Sequence, residues 1–371
     1  MSALKMHSDP LLSVTPRTAM VIAGGTGGHI FPGLALAGLL RDRGWNVHWV
    51  GGKSPSMESK LVPAQGFDFQ AIDFTGVRGK GLLTLLELPI RLIKAVLQSY
   101  VLIRNIRPDV LVGLGGYITV PPCLVGRLLG KPLVLHEQNS VPGSANKLLS
   151  KIAQAIFTAF PGVLNGNWVG NPLRNEFKNQ PTPSERLANR VGPLRLLVVG
   201  GSLGAHALNS VVPQALAMMP AQARPYLIHQ GGAKQIDTLR AAYKTAGLTE
   251  GEYVQLVPFI DEMAKAFMDA DIVICRAGAS TVSELAALGV AAIYVPFPHA
   301  IDDHQTVNAK FMVDSGAGWL MEQKELTPSS LCKLLMSLNR DEILSKSECA
   351  YAKKQTDAAE RVVNACEEIV N

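Results

Sequence analysis

Cysteine is scarce: Cys123, Cys275, Cys332, Cys349 and Cys366 are scattered over 371 positions. Their odd number and the lack of any C-x-x-C pair exclude a disulfide framework and a zinc ribbon, and a reducing cytosol fits best. The opening stretch MSALKMHSDPLLSVTP has no continuous apolar core of the kind a signal peptide needs, and no apolar run approaches bilayer length. Charged residues make up only 18% of the chain against 47% hydrophobic, the balance of a folded globular protein. The net charge of +5 is modest, and no nucleic-acid partner is expected. That charge is unevenly placed, however. Arg78, Lys80, Arg91, Lys94, Arg104 and Arg107 face Glu87 alone over thirty positions, which points to an anionic partner.

What is present is a repeated alternation of short apolar runs with helical patterns. AMVIA, NVHWV, DVLVGL and PLVLH in the first half are followed by RLLVV, PYLIHQ, IVIC and AAIYVPF in the second. Such alternation predicts βα units and parallel sheets. An internal echo sharpens this, because MVIAGGTGGH at 20–29 returns as LVVGGSLGAH at 197–206. The chain is therefore read as two Rossmann-like domains in tandem, joined by the Pro-, Asn- and Arg-rich segment 169–195 and facing each other across a cleft.

Two common phosphate-binding readings fail on missing residues. A dinucleotide fingerprint needs a third glycine where Ile30 stands, and neither NVHWVGG nor PYLIHQGG ends in an acid for a ribose hydroxyl. GRLLGKP has the wrong spacing for a nucleotide-triphosphate loop and no Ser or Thr after Lys131. Three glycine turns nevertheless remain: the one containing Thr26, Gly27 and Gly28, its echo around Ser202, and a third at Gly115, Gly116 and Tyr117. Glycine turns that lead into helices bring backbone N–H groups up to anionic ligands, so more than one such ligand is expected. His29 stands where the first helix should begin and suits a general base. Glu137 in HEQN, at the end of a predicted strand, is the rival base. Thr281 and Glu284 have capping-box spacing, so Glu284 is either a helix cap or a carboxylate for two ribose hydroxyls. Asp269 and Asp271 imitate a metal-holding Asp-x-Asp, but they precede the strand IVIC and so lie at the edge away from the cleft.

Taken in order, GGTGGHIFPGLALA, GLGGY, HEQN, VGNPLR, GGSLGAHALN, CRAGASTVSELAALG and DDHQTVNA closely resemble the MurG family, over 18–370. These are the bacterial transferases that add N-acetylglucosamine to the lipid-linked muramyl-pentapeptide precursor of peptidoglycan. The resemblance implies a GT-B fold of two Rossmann-like domains with parallel sheets. The acceptor and membrane-associated domain would span 1–174 and the UDP-sugar domain 175–352, with a last helix, 353–371, crossing back to the first. It places the chain on the cytoplasmic side of the inner membrane, as a peripheral protein. Segment 78–107, kinked or broken at Pro89, is apolar round most of its circumference and basic, so it is expected against the anionic leaflet, the alternative being an ordinary helix buried between the sheet and its neighbours. It assigns donor contacts to Thr26, Gly27, Gly28, Asn139, Arg174, Ser202 and Ile260. The same assignment covers Ala279, Ser280, Thr281, Val282, Ser283 and Glu284, and either His304 or Gln305 as the reader of the sugar. The acceptor diphosphate falls to Gly115, Gly116 and Tyr117. The implied reaction is an inverting transfer from UDP-N-acetylglucosamine, with His29 or Glu137 as base and neither metal nor cofactor expected. A UDP-N-acetylglucosamine 2-epimerase, or a non-catalytic module that binds a lipid diphosphate, are the alternatives.

Overall fold

A computed structural model describes residues 16–74, 82–201 and 203–371, the side chains of 82–86 and 301 apart. Arg78, Lys80 and Ser202 lie outside the described residues. The first half builds strands β1 (Thr18–Ala23), β2 (Asn46–Gly52), β3 (Asp68–Ile72), β4 (Val110–Gly115), β5 (Leu133–Glu137), β6 (Ala155–Thr158) and β7 (Asn167–Trp168). They pair in the order β3-β2-β1-β4-β5-β6-β7. The second half builds β8 (Arg195–Val199), β9 (Tyr226–Gln230), β10 (Val254–Val257), β11 (Ile272–Cys275), β12 (Ala292–Tyr294) and β13 (Gly318–Leu320). Their order is β10-β9-β8-β11-β12-β13. All pairings are parallel. In both sheets the order turns back at the first strand, the topological switch point at which open α/β sheets bind ligands.

The central strands explain why the sequence reads as continuous apolar runs. Successive side chains point to opposite faces, and here both faces are covered. Ala19, Val21 and Ala23 of β1 enter one core while Met20 and Ile22 enter the other. In β8, Leu196 and Val198 are divided from Leu197 and Val199 in the same way. The first helix, Gly27–Asp42, lies close on its sheet because Gly33 has no side chain: a Cβ there would stand 2.5 Å from the Trp49 ring. Trp49 in turn donates its indole N–H to the Ala23 carbonyl at 3.1 Å, which fixes the end of β1 where the glycine turn begins.

The chain returns at its end. Helix Ala358–Val370 sets Ala358, Ala359, Val362, Val363 and Cys366 into a core of the first sheet, and Glu367 pairs with Arg43 at 2.8 Å. Segment 169–195 is ordered rather than a loose tether. Leu173 and Phe177 are buried in a core of the second half, and Thr182 closes a capping box on helix Pro183–Leu187. Of the kink or break expected at Pro89, the break is absent: helix Leu82–Ile106 runs through it. Pro89 is exposed, so its missing hydrogen bond falls on the solvent side, where water can satisfy the carbonyl.

Candidate active site

The first glycine turn and the third interlock. Gly25 takes φ +92°, Gly115 φ +113° and Gly116 φ +85°, values that L side chains adopt only at a cost. Space forbids side chains as well: a Cβ on Gly115 would lie 3.1 Å from His29 Nε2, and one on Gly116 would lie 2.6 Å from the Gly24 carbonyl oxygen. Thr26 is the N-cap of the first helix, but its side chain accepts no capping bond. The N–H groups of Thr26, Gly27 and Gly28 have no acceptor among the described residues, and free first-turn N–H groups of this kind can receive an anion. Gly25 does not add to it, because its N–H points inward to Glu58 Oε2 at 3.4 Å.

His29, in the first turn of that helix, sets its Nδ1 3.1 Å from the Gly24 carbonyl. A carbonyl only accepts, so Nδ1 carries the proton and Nε2 presents its lone pair beside Gly115. Burial lowers the pKa of His29; Glu137 and the Gly24 carbonyl pull it partly back up, His304 lowers it further and Glu58 raises it. A neutral imidazole results, able to take a proton at Nε2.

Glu137 is placed differently from the sequence expectation of a rival base. It is buried at the end of β5, where Oε1 accepts from the Asn139 N–H at 2.9 Å. Oε2 accepts from the Gly143 N–H at 3.1 Å and from Asn146 Nδ2 at 2.9 Å. With both oxygens occupied, this carboxylate shapes loop 138–146. Tyr117 opens the short 3-10 turn Tyr117–Thr119 just beyond β4 and is partly exposed.

Across the cleft, helix Ala279–Leu288 starts at Ala279 with Gly278 as its N-cap. The capping box expected of Thr281 and Glu284 is therefore absent, since Thr281 already sits in the first turn and Glu284 in the second. Ala279 and Val282 are buried in the core and could offer a ligand only their backbone. The Ser280 hydroxyl is buried without a hydrogen-bond partner among the described residues, and Ser283 Oγ accepts from Asn171 Nδ2 at 3.0 Å. Glu284 lies 3.7 Å from Arg174 Nη2, its side chain 14% exposed. Burial raises its pKa to about 7 against the opposing pull of Arg174. Arg174 also pairs with Glu176 at 3.0 Å and lies over the Phe177 ring. Ile260 is half-buried in the loop after β10 and packs on the same core. Helix His304–Val313 opens with the two candidate sugar readers. Gln305 Oε1 accepts from the Phe297 N–H at 3.0 Å, whereas His304 is close enough to His29 to influence its titration.

Three residues that the sequence reading passed over, Asn171, Asn308 and Ser140, tie these pieces together. Asn171 donates from Nδ2 to the Gln138 and Ala279 carbonyls, at 3.4 Å each. Asn308 Oδ1 accepts from the Ser140 N–H at 3.0 Å and from its hydroxyl at 2.7 Å, while its Nδ2 donates to the Ala277 carbonyl at 3.1 Å. Only VGNPLR and DDHQTVNA, already singled out as motifs, hinted at Asn171 and Asn308. Asp271, by contrast, sits at the far edge of the second sheet, 3.5 Å from Arg340 and 3.9 Å from Arg190.

Comparison with known proteins agrees with this geometry. The glycosyltransferase family 28 N-terminal domain matches residues 19–158 and the family 28 C-terminal domain matches 195–362. The chain is 58% identical over 373 residues to the UDP-N-acetylglucosamine--N-acetylmuramyl-(pentapeptide) pyrophosphoryl-undecaprenol N-acetylglucosamine transferase of Albidiferax ferrireducens, covering 99% of this chain and 95% of that one. The protein of the same description from a Polaromonas species is also 58% identical, over 96% and 92% of the two chains. The crystal structure of Acinetobacter baumannii MurG superposes with a TM-score of 0.81 at 37% identity, covering 95% of this chain and all of that one. The two domains are accordingly a GT-B architecture. By sequence, by fold and by the matched domains of both halves, the chain belongs to glycosyltransferase family 28 and, within it, to the MurG family of N-acetylglucosaminyltransferases.

Proposed function

We infer that the chain is an N-acetylglucosaminyltransferase of peptidoglycan synthesis, moving N-acetylglucosamine from UDP-N-acetylglucosamine to the lipid-linked muramyl-pentapeptide. The observation that carries this is identity of 58% over nearly the whole chain to proteins whose names specify both donor and acceptor. The same observation disfavours a 2-epimerase or a non-catalytic binding module. Incubation with radiolabelled UDP-N-acetylglucosamine and a lipid-linked acceptor is the test. A β-linked lipid disaccharide is expected; epimerised UDP-sugar without lipid product would overturn the reading.

In this proposal the acceptor hydroxyl oxygen attacks the anomeric carbon and gives its proton to His29 Nε2. The carbon–oxygen bond to UDP breaks and the electron pair leaves with the diphosphate. The free N–H groups at the start of helix Ala279–Leu288 and the Arg174 guanidinium receive that developing charge, with Glu284 on the ribose. Asn139, Ile260, Ser202 and the Thr26 to Gly28 turn complete the donor site, and Gly115, Gly116 and Tyr117 receive the acceptor diphosphate. Either His304 or Gln305 reads the sugar in this proposal, the Gln305 amide oxygen being held by the Phe297 N–H. The acceptor domain is taken as 1–174 with helix Ala358–Val370, and the donor domain as 175–352.

The acceptor's lipid calls for a membrane-facing surface. No helix among the described residues is long and apolar enough to cross a membrane. Helix Leu82–Ile106 instead exposes Ile90, Ile93, Leu97 and Val101, four residues on one face at spacings of three and four. An exposed apolar stripe of this kind suits an interfacial helix at the cytoplasmic face.

A further inference from the structure

Glu58 is a buried carboxylate to which neither the sequence reading nor the reaction above gives a part. It opens the short helix Glu58–Ala64 after β2 and is 2% exposed. Its Oε1 accepts from the Gly52 N–H at 3.0 Å, at the end of β2, and its Oε2 accepts from the Gly25 N–H at 3.4 Å, inside the first glycine turn. The room for it is made by missing side chains. A Cβ on Gly24 would lie 2.5 Å from Oε1, one on Gly51 2.7 Å from Cγ, and one on Gly52 3.0 Å from Oε1. Three glycines from two strand ends thus open the space that one carboxylate fills. The carbonyl of Gly24, the residue next to Gly25, is the one that accepts the hydrogen bond from His29 Nδ1–H.

We propose that Glu58 is a positioning residue for glycosyl transfer: its carboxylate fastens the first glycine turn to the end of β2 and so holds His29 at the reacting centre. The inference rests on the reading of His29 as the base. A carboxylate suits the task because it offers two acceptors to two N–H donors, and turning those donors inward leaves the Thr26, Gly27 and Gly28 N–H groups facing the cleft. The groups that face His29 from neighbouring elements are Glu137 from β5, His304 from the second domain and Glu58 itself.

The test compares Glu58→Gln with Gly52→Ala. Glutamine keeps the shape but sets an NH2 group against one of the two backbone donors, and it removes a negative charge that favours protonated His29. Turnover is expected to fall about ten- to a hundredfold, the usual effect of a small misplacement of a reacting group, with a smaller change in donor KM. The His29 ring resonance, followed by NMR without substrate, is expected to titrate at lower pH than in the wild type. Gly52→Ala displaces the carboxylate without removing it and should lower kcat by a smaller factor; it decides alone if Glu58→Gln fails to fold. Wild-type kcat in the folded variants, or a lowered melting temperature with turnover and His29 titration unchanged, would overturn the proposal. A shifted titration beside near-normal turnover in His29→Ala would instead uphold the hold of Glu58 on the turn and remove the base assignment on which its role in transfer depends.

Discussion

Arg174 and Glu284 meet across the two halves of the chain, guanidinium Nη2 3.7 Å from carboxylate Oε1. The pair is long for an ion pair and shared, since Arg174 lies nearer to Glu176, at 3.0 Å. Desolvation therefore prevails over attraction at Glu284, and its carboxyl titrates at about 7 rather than at the ordinary glutamate value. A side chain kept partly protonated in a cleft, and bound to no backbone N–H among the described residues, is one that a ligand could put to use.

Glu284 thus makes stability depend on pH. Its folded pKa of about 7 lies above the ordinary 4.5, so the unfolded chain releases the proton first. Stability on this account is full below pH 4.5, declines as pH rises towards 7 and is flat beyond, for a total of about 3 kcal/mol. Glu284→Gln is expected to melt higher than the wild type at pH 8 and close to it at pH 4.5, while UDP binding weakens by roughly 1.5–3 kcal/mol through the lost charge-assisted bond. Thermal melts at both pH values beside a UDP titration check this. A uniform fall in melting temperature with unchanged UDP affinity would show a purely structural residue.

His29 and Glu137 should separate by what their loss damages. His29→Ala is expected to slow kcat by about 10²–10⁴-fold with little change in melting temperature. Because burial lowers its pKa, the acid limb of kcat/KM should fall below about pH 6.5. Glu137→Gln removes an acceptor from loop 138–146 and is expected to cost about 1.5–3 kcal/mol of stability. Near-normal turnover in His29→Ala with loss confined to Glu137→Gln would reverse the assignment.

The eight apolar runs read from the sequence are strands, and the strands missed have a common cause. β3, β7, β10 and β13 are the edges of their sheets and β6 lies next to an edge. Edge strands bury less and are kept short, so DFQAI, VQLV and GWL carry too little periodicity to stand out. Of the two readings of Glu284, the helix cap rests on spacing, and spacing misleads because Gly278, without a side-chain oxygen, caps the helix three residues earlier than Thr281 would. Glu58 was invisible for another reason. The sequence lacks an acid at the end of β2, and the acid that reaches the glycine turn comes from the next helix, six residues beyond the strand. The glycine turns themselves were legible because positive φ leaves glycine little competition.

Ser140 and Asn308 set a latch between domains, since both bonds on Asn308 Oδ1 come from Ser140. Ser140→Ala removes one of them, about 1 kcal/mol, which shifts a closed-to-open equilibrium roughly fivefold. A fluorophore pair on the two domains should report a more open average and a raised donor KM, with kcat nearly kept. An unchanged separation would mean that Asn171 and the packing of the linker hold the domains without help from Ser140.

The surface helix offers the last prediction, and here charge and apolar area make different claims. Arg91 pairs with Glu87 at 2.6 Å and Lys94 with Asp73 at 2.9 Å. Lys94 holds the Asp73 carboxyl below its usual value. The basic excess is therefore partly answered within the protein, and each such residue should add less than the approximately 1 kcal/mol of a free lysine near an anionic leaflet. The apolar stripe has no such partner: Ile90 is 71% exposed, Ile93 61%, Leu97 60% and Val101 56%. Full burial of an isoleucine or leucine is worth about 1.5–3 kcal/mol, so two side chains exposed to this degree would contribute roughly 2–3 kcal/mol on entering the interface. Ile93→Asn with Leu97→Asn is expected to weaken binding to phosphatidylglycerol-containing vesicles about 30- to 100-fold, whereas Lys94→Gln should weaken it less than about fivefold. Activity on a short-chain soluble acceptor should survive in both. Sedimentation with vesicles separates the two contributions: if the asparagine variant pellets as the wild type does while the glutamine variant is released, charge rather than apolar burial holds the protein to the membrane.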